Sequence, residues 1–177
     1  MNAIAKMVLV LTVICVLSAL ALAVVYDLTK EKIAENKESE LTTKINSLFG
    51  KAVKTEPCNC TGGHIVASFD VYDENNEWLG KAFVIEYPGY QGNIGILVGT
   101  TGTEIIGIDI LSHTETPGLG ARIEEDSFKS QFKNKKTLDF DTITGATISS
   151  TAVINAVKEC AFGYDGITSA TPKNESN

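Results

Sequence analysis

Apolar and polar positions divide this chain before any motif is considered. Met7 to Tyr26 carries no charge and has roughly the twenty residues that an apolar helix needs to cross a bilayer. From Asp27 to Phe49 the pattern changes. Leu28, Ile33, Leu41, Ile45 and Leu48 recur among lysines and glutamates, predicting a polar helix that Gly50 stops. Lys51 to Gly63, with Pro57 and a glycine pair, reads as an irregular connector. A period of two follows. Ile65, Ala67, Phe69 and Val71 alternate with Val66, Ser68, Asp70 and Tyr72, and residues 73–76 make a turn. Further strands are predicted over Trp78–Glu86, Ile94–Val98 and Glu104–Leu111, separated by breaks at 87–92 and Thr101-Gly102. Together they form an antiparallel meander. Ile123 to Phe132 predicts a short helix, with Phe128 and Phe132 four apart. A last helix runs from Ala152 to Phe162, with Val153, Ala156, Val157, Cys160 and Ala161 on its buried face. The fold class is therefore α+β: an N-terminal transmembrane helix (1–26), a polar helix and connector (27–63), one domain with an antiparallel sheet and flanking helices (64–169), and a frayed tail (170–177).

The rival to a retained anchor is a cleaved signal peptide, since Ala19-Leu20-Ala21 and Ala21-Leu22-Ala23 resemble processing sites. The apolar run is longer than an ordinary signal core of about 7–15 residues, and it passes into a helical pattern without a turn residue. A membrane anchor is the better reading. Its orientation is ambiguous, because Lys6 stands on one side and Lys30, Lys32 and Lys37 on the other. Setting Lys6 aside leaves 14 basic residues against 22 acidic ones. So acidic a domain is a poor partner for nucleic acid or an anionic lipid surface.

Cys15 lies in the apolar helix, while Cys58 and Cys60 form a Cys-Asn-Cys pair and Cys160 sits on the last helix. Outside the cell, a disulfide using Cys58 or Cys60 would be expected, with one thiol of the three left over. Three cysteines fall short of the four protein ligands usual for zinc or an iron–sulfur cluster.

The chemistry concentrates in two segments. Asp141 to Thr151 packs Thr142, Thr144, Gly145, Ala146, Thr147, Ser149, Ser150 and Thr151 in front of a helix. Ser149, Ser150 or Thr151 can serve as its N-cap. Small residues at that point leave backbone N–H groups where the helix dipole favours an anion, so the segment suits a phosphate as well as a plain capping loop. The second segment is His113-Thr114-Glu115-Thr116-Pro117-Gly118-Leu119-Gly120, whose Pro-Gly is a turn signal. A His-x-Glu pair invites an acid–base or metal reading, but both need further partners. Trp78 and His64 read as structural.

Asp141, Thr144-Gly145-Ala146-Thr147 and Ser149-Ser150 resemble the flavinylation motif of the FMN-binding domain family. The His113–Gly120 run and Gly89-Tyr90-x-Gly92 resemble further elements of the same family, in the same order. That family includes the G subunit of the Rnf ion-translocating ferredoxin:NAD oxidoreductase and the C subunit of the sodium-translocating NADH:quinone reductase. The resemblance implies covalent FMN on Thr147 through a phosphodiester, installed by a separate flavin transferase that uses FAD and magnesium. Hydroxyl spacing does not choose Thr147 among its neighbours. The resemblance further implies that Gly145 and Ala146 allow close approach to the phosphate and that Asp141 orients the loop or meets the transferase. Glu115 and Thr116 would hydrogen-bond the ring edge, and Leu119 or Tyr90 would cover its face. It places the domain on the extracytoplasmic side of the cell membrane, in a single-pass protein that relays electrons beside the other subunits of a membrane redox complex. Such a chain is part of an oxidoreductase and does no chemistry alone beyond flavin redox. The alternatives are the quinone-reductase counterpart and a membrane-anchored domain that binds no flavin.

Overall fold

The structure is a computed structural model that describes residues 3–50, 54–58, 60, 62–102 and 104–167, without the side chains of Ala34 and 161–167. The expected frayed tail lies outside the described residues.

Two compact units are present, Met1–Leu41 and Thr42–Asn177. The first is one stretch of α1 (Ala3–Phe49), which is unbroken where the apolar run gives way to the polar one. This helix is long and apolar enough to cross a membrane. Its apolar side chains are exposed, as at Val8, Leu17 and Val24. Two of its hydroxyls bond the helix itself: Thr12 donates to the Val8 carbonyl at 2.9 Å and Thr29 to that of Val25 at 2.8 Å. A hydroxyl so bonded tolerates hydrocarbon around it. The helix ends where predicted, at Gly50, whose φ of +69° leaves the helical region.

The second unit is built on a five-stranded antiparallel sheet in the order β1-β2-β3-β4-β5. Its strands are β1 (Lys54–Cys58), β2 (Ile65–Tyr72), β3 (Trp78–Pro88), β4 (Asn93–Thr101) and β5 (Glu104–Ser112). The meander is as expected, but β1 corrects the reading of residues 51–63 as irregular: Lys54 to Cys58 pair with Tyr72 to Ser68. Pro57 and two charges hide this strand in the sequence, and all three are tolerable on an edge. The alternation expected across β2 is also interrupted, because the register shifts between Ile65 and Ala67. Ile65 and Ser68 are consequently both buried, whereas Val66 is exposed.

The two faces of the sheet are filled differently. On one, Phe83, Ile85, Ile94, Ile96, Val98, Ile108 and Ile110 form the main core with α3 (Thr147–Ile167), which contributes Val153, Ala156, Val157 and Cys160. The opposite face is small. A Cβ on Gly99 would lie 2.7 Å from Leu48, and one on Gly107 would lie 3.0 Å from the same side chain. The last two turns of α1, which belong to this unit, therefore press onto a stripe of strand glycines. Lys44 secures them, donating to the Ile110 carbonyl at 2.8 Å and facing Asp109 at 3.6 Å.

The helix expected over Ile123–Phe132 is broken into a 3-10 turn (Gly120–Glu124), α2 (Asp126–Lys129) and a second 3-10 turn (Ser130–Phe132). Glu125, extended at ψ 139°, interrupts it. Phe128 and Phe132 are nonetheless both buried and meet edge to face at 5.3 Å. Phe140 stacks on Phe132 at 4.4 Å, leading the chain back toward α3.

A Cβ at Gly80 would collide with the Thr100 carbonyl oxygen, which is backbone and cannot yield. Gly80→Ala should lower stability by about 1–3 kcal/mol, as overpacking does. Gly62→Ala, where a Cβ meets nothing within 4 Å, should stay within about 0.5 kcal/mol of wild type. Thermal unfolding of the detergent-solubilised chain measures both.

Candidate functional site

Three segments distant in sequence meet at one buried carboxylate. Glu115, 4% exposed, lies in the loop after β5. Its Oε1 accepts the backbone N–H groups of Tyr90 at 2.8 Å and Gln91 at 3.1 Å, from the β3–β4 loop. Its Oε2 accepts the Ser149 hydroxyl at 2.6 Å, from the first turn of α3. Burial pushes the carboxyl up, but Ser149, Gln91, Tyr90 and the nearby His113 outweigh it and hold Glu115 below the ordinary carboxylate value.

Glycines make the space for this carboxylate. A Cβ on Gly89 would lie 2.5 Å from Oε1, and one on Gly120 would lie 2.6 Å from Oε2 and 2.7 Å from the Ser149 oxygen. Backbone comes this close only without a side chain. His113 completes the arrangement. Its Nδ1 lies 3.1 Å from the Glu115 backbone nitrogen and its Nε2 lies 3.0 Å from Glu124. Both ring nitrogens have structural partners.

The start of α3 is earlier than expected. Helix begins at Thr147, so Ser149, Ser150 and Thr151 lie inside it and none is the N-cap. Ala146 precedes the helix, and its carbonyl accepts the Ser150 N–H at 2.9 Å. The N–H groups of Thr147, Ile148 and Ser149 thus fall in the turn that has no helical carbonyls to reach. A turn carries the chain into this end: Ala146 N–H bonds the Ile143 carbonyl at 2.9 Å, and Gly145 has φ +84°. Nothing lies within 4 Å of a Cβ there, so glycine is needed for conformation rather than space. Ser150, fully buried, accepts the Ile143 N–H at 3.1 Å and donates to the Ala146 carbonyl at 2.8 Å.

The hydroxyls of the motif are thereby sorted. Ser149 and Ser150 face inward and are spent on the protein, whereas Thr142, Thr144 and Thr147 are exposed. Thr147 stands on the helix start itself. Asp141 is exposed, and its backbone is held at both ends by the Gln131 amide, at 2.8 and 3.1 Å.

Each segment that Glu115 joins also presents one exposed apolar side chain: Tyr90 is 66% exposed, Leu119 54% and Ile148 57%. Tyr90 and Leu119 are therefore neither turn filler nor core. Thr116 is half-buried, its carbonyl accepting the Leu119 and Ala121 N–H groups. Two residues missed in the sequence belong here. Ile148 is one. Arg122 is the other: its Nη1 donates to the Thr144 carbonyl at 3.5 Å, bringing a cation to the turn before Thr147. A lone base ahead of Glu124, Glu125 and Asp126 was the signal available for it.

Glu115→Ala should cost about 2–4 kcal/mol, because two amides and a hydroxyl lose their buried acceptor. The depressed carboxyl contributes stability that is full above its unfolded value and lost as pH falls through the lower native value. Melting temperature followed from neutral pH down through the carboxylate range should fall, and Glu115→Gln should flatten that acid limb.

Residues 89–161 match the FMN-binding domain family, and residues 1–48 match the RnfG N-terminal region. The G subunit of the proton-translocating ferredoxin:NAD(+) oxidoreductase complex of Clostridium ljungdahlii is 33% identical over 162 residues, spanning 84% of this chain and 85% of that protein. The G subunit of the ion-translocating oxidoreductase complex of Aliivibrio fischeri is 30% identical, over 88% of each chain. Its counterpart in Methanosarcina acetivorans is 28% identical, over 87% of this chain and 90% of that one. Among solved structures, NqrC of Shewanella oneidensis superposes with a TM-score of 0.48 at 16% identity, covering 68% of this chain and 73% of that one. The chain belongs to the RnfG family, the G subunits of the ion-translocating oxidoreductase (Rnf) complexes.

Proposed function

We propose that this chain is the electron-transfer subunit of a membrane Rnf-type complex that couples ferredoxin:NAD oxidoreduction to ion movement, and that it carries FMN as a phosphodiester on Thr147. Family membership supports the complex and its other subunits as partners, and the FMN-binding domain match supports the cofactor. One observation carries the attachment point: of the hydroxyls at the head of α3, Thr147 alone is both exposed and on the first residue of the helix.

The residues present fit the group. The first-turn N–H groups of α3 and the Arg122 guanidinium offset the charge of a phosphodiester there. Gly145 and Ala146 leave the approach to Thr147 clear on the chain side. Tyr90, Leu119 and Ile148 offer apolar surface to a flat ring, with Thr116 at its edge. Glu115 is better explained as the residue that positions these surfaces, since both its oxygens are taken. When bound, FMN supplies reversible electron uptake and release, and the chain holds and shields it.

Among the described residues no side chain hydrogen-bonds the Thr147 hydroxyl, so no base among them is poised to activate it. That fits installation by a separate flavin transferase, with exposed Asp141 as its contact. The apolar part of α1 serves as a single-pass anchor in membrane lipid. The flavin domain lies on the extracytoplasmic side, as the family resemblance implies. The quinone-reductase counterpart is the weaker reading, because the relatives that span most of this chain are named as G subunits of Rnf-type complexes.

Co-expressed with its flavin transferase and run on a denaturing gel, the wild-type chain should fluoresce under ultraviolet light. Thr147→Ala should fall to background, while Thr142→Ala, at an exposed hydroxyl outside the helix, should keep its signal. A dark wild-type band would favour a membrane-anchored domain without flavin.

A further inference from the structure

A second constellation lies away from the flavin site. Cys58 ends the edge strand β1, and Cys60 lies between β1 and β2 in the chain. Their sulfurs are 2.7 Å apart. One buried hydroxyl sets this up: Ser68 donates to the Cys58 carbonyl at 2.7 Å and accepts the Cys60 N–H at 3.1 Å. The backbone on both sides of the intervening residue is thus pinned, and both side chains emerge together. Lys81 reaches across from β3, with Nζ 3.4 Å from the Cys58 sulfur and 3.8 Å from that of Cys60. Asp70 holds the same ammonium at 3.0 Å. Gly63 and His64, just downstream, pack on Glu159, whose side chain bonds the His64 N–H and ring. Glu159 lies twelve residues along α3 from Thr147, or about 18 Å. The pair is not an extension of the flavin site.

Three uses of such a pair can be compared. Two thiolates could hold a soft metal ion, but an ammonium within 4 Å of both sulfurs opposes a cation there. A structural crosslink is a poor explanation, because a loop this short removes little entropy from the unfolded chain. Thiol–disulfide chemistry remains. A neighbouring cation favours the thiolate, which is the attacking species, and a second sulfur in contact can resolve the intermediate.

We propose that Cys58 and Cys60 form a redox-active dithiol–disulfide pair, with Lys81 as the residue that activates it. Cys58 is the attacking sulfur: it is half-buried and nearest the ammonium, whereas burial raises the Cys60 thiol. The Cys58 thiolate attacks one sulfur of an external disulfide, forming a mixed disulfide and releasing one thiolate. Cys60 then gives up its proton, and its sulfur displaces the second. Overall, two protein thiols and one external disulfide become one internal disulfide and two external thiols. The step needs no flavin, so it stands or falls separately from the reading of Thr147.

The test uses the full chain in detergent, incubated with oxidised glutathione, denatured, alkylated and mapped. Residues 55–81 fall in one tryptic peptide that contains both cysteines. The expected result is that this peptide is two hydrogens lighter, unalkylated and free of glutathione, and regains two alkylation sites after dithiothreitol. Cys60→Ser should trap glutathione on Cys58, and Lys81→Gln should slow the reaction about threefold, because the smaller thiolate fraction is partly offset by a more nucleophilic thiolate. Two alkylated sites in the wild-type peptide after oxidation, or a lasting glutathione adduct on it, would overturn the proposal. Since wild type decides, misfolding of a variant does not rescue it.

Discussion

The buried carboxylate of Glu115 is the interaction on which the candidate site depends. It accepts hydrogen bonds from two loop amides and from a helical hydroxyl, bringing together chain around Tyr90, His113 and Ser149. A buried anion with so many donors is costly to desolvate and more costly to orphan. That asymmetry makes it an effective lock. Glycines at 89 and 120 are consequences of it, since any side chain there would occupy the space of the carboxylate oxygens or the Ser149 hydroxyl. With Ser149 turned inward to meet Glu115, Thr147 and Ile148 are left on the outer side of the same helical turn.

The sheet serves this lock as a stiff support. Its aliphatic face takes α3 and so fixes the height of the helix start, while its glycine-lined face takes the last turns of α1. Those turns are the end of the same helix that carries the apolar run. The approach to α3 is equally constrained. Phe140 stacks on Phe132, Gln131 grips the Asp141 backbone, and Ser150 closes the turn around Gly145. Electron carriers benefit from such rigidity, because a bound group held in place needs little reorganisation.

Much of this was legible in the sequence. The apolar run, the meander and the buried face of the last helix follow from periodicity, and Gly50 stops its helix as its position predicts. What escaped did so for physical reasons. β1 carries a proline and charges that only an edge strand accepts. The register shift after Ile65 buries Ser68 while Val71 stays buried, which no period-two reading anticipates. Ser149 and Ser150 look like caps because serine so often caps, yet here they are drawn into the core by partners 34 and 7 residues away. That Glu115 accepts two loop amides and the Ser149 hydroxyl is a fact of tertiary packing alone. Arg122 gave little signal among its acidic neighbours and acquires meaning only beside Thr144.

The most direct measurement is fragment-ion mapping of peptide 137–158 from chain purified out of its native membranes, since that peptide contains every hydroxyl of the motif. The expected result is the added mass of FMN less one water, located on Thr147. Flavin on inward-facing Ser149 or Ser150, or a peptide without flavin, would contradict it.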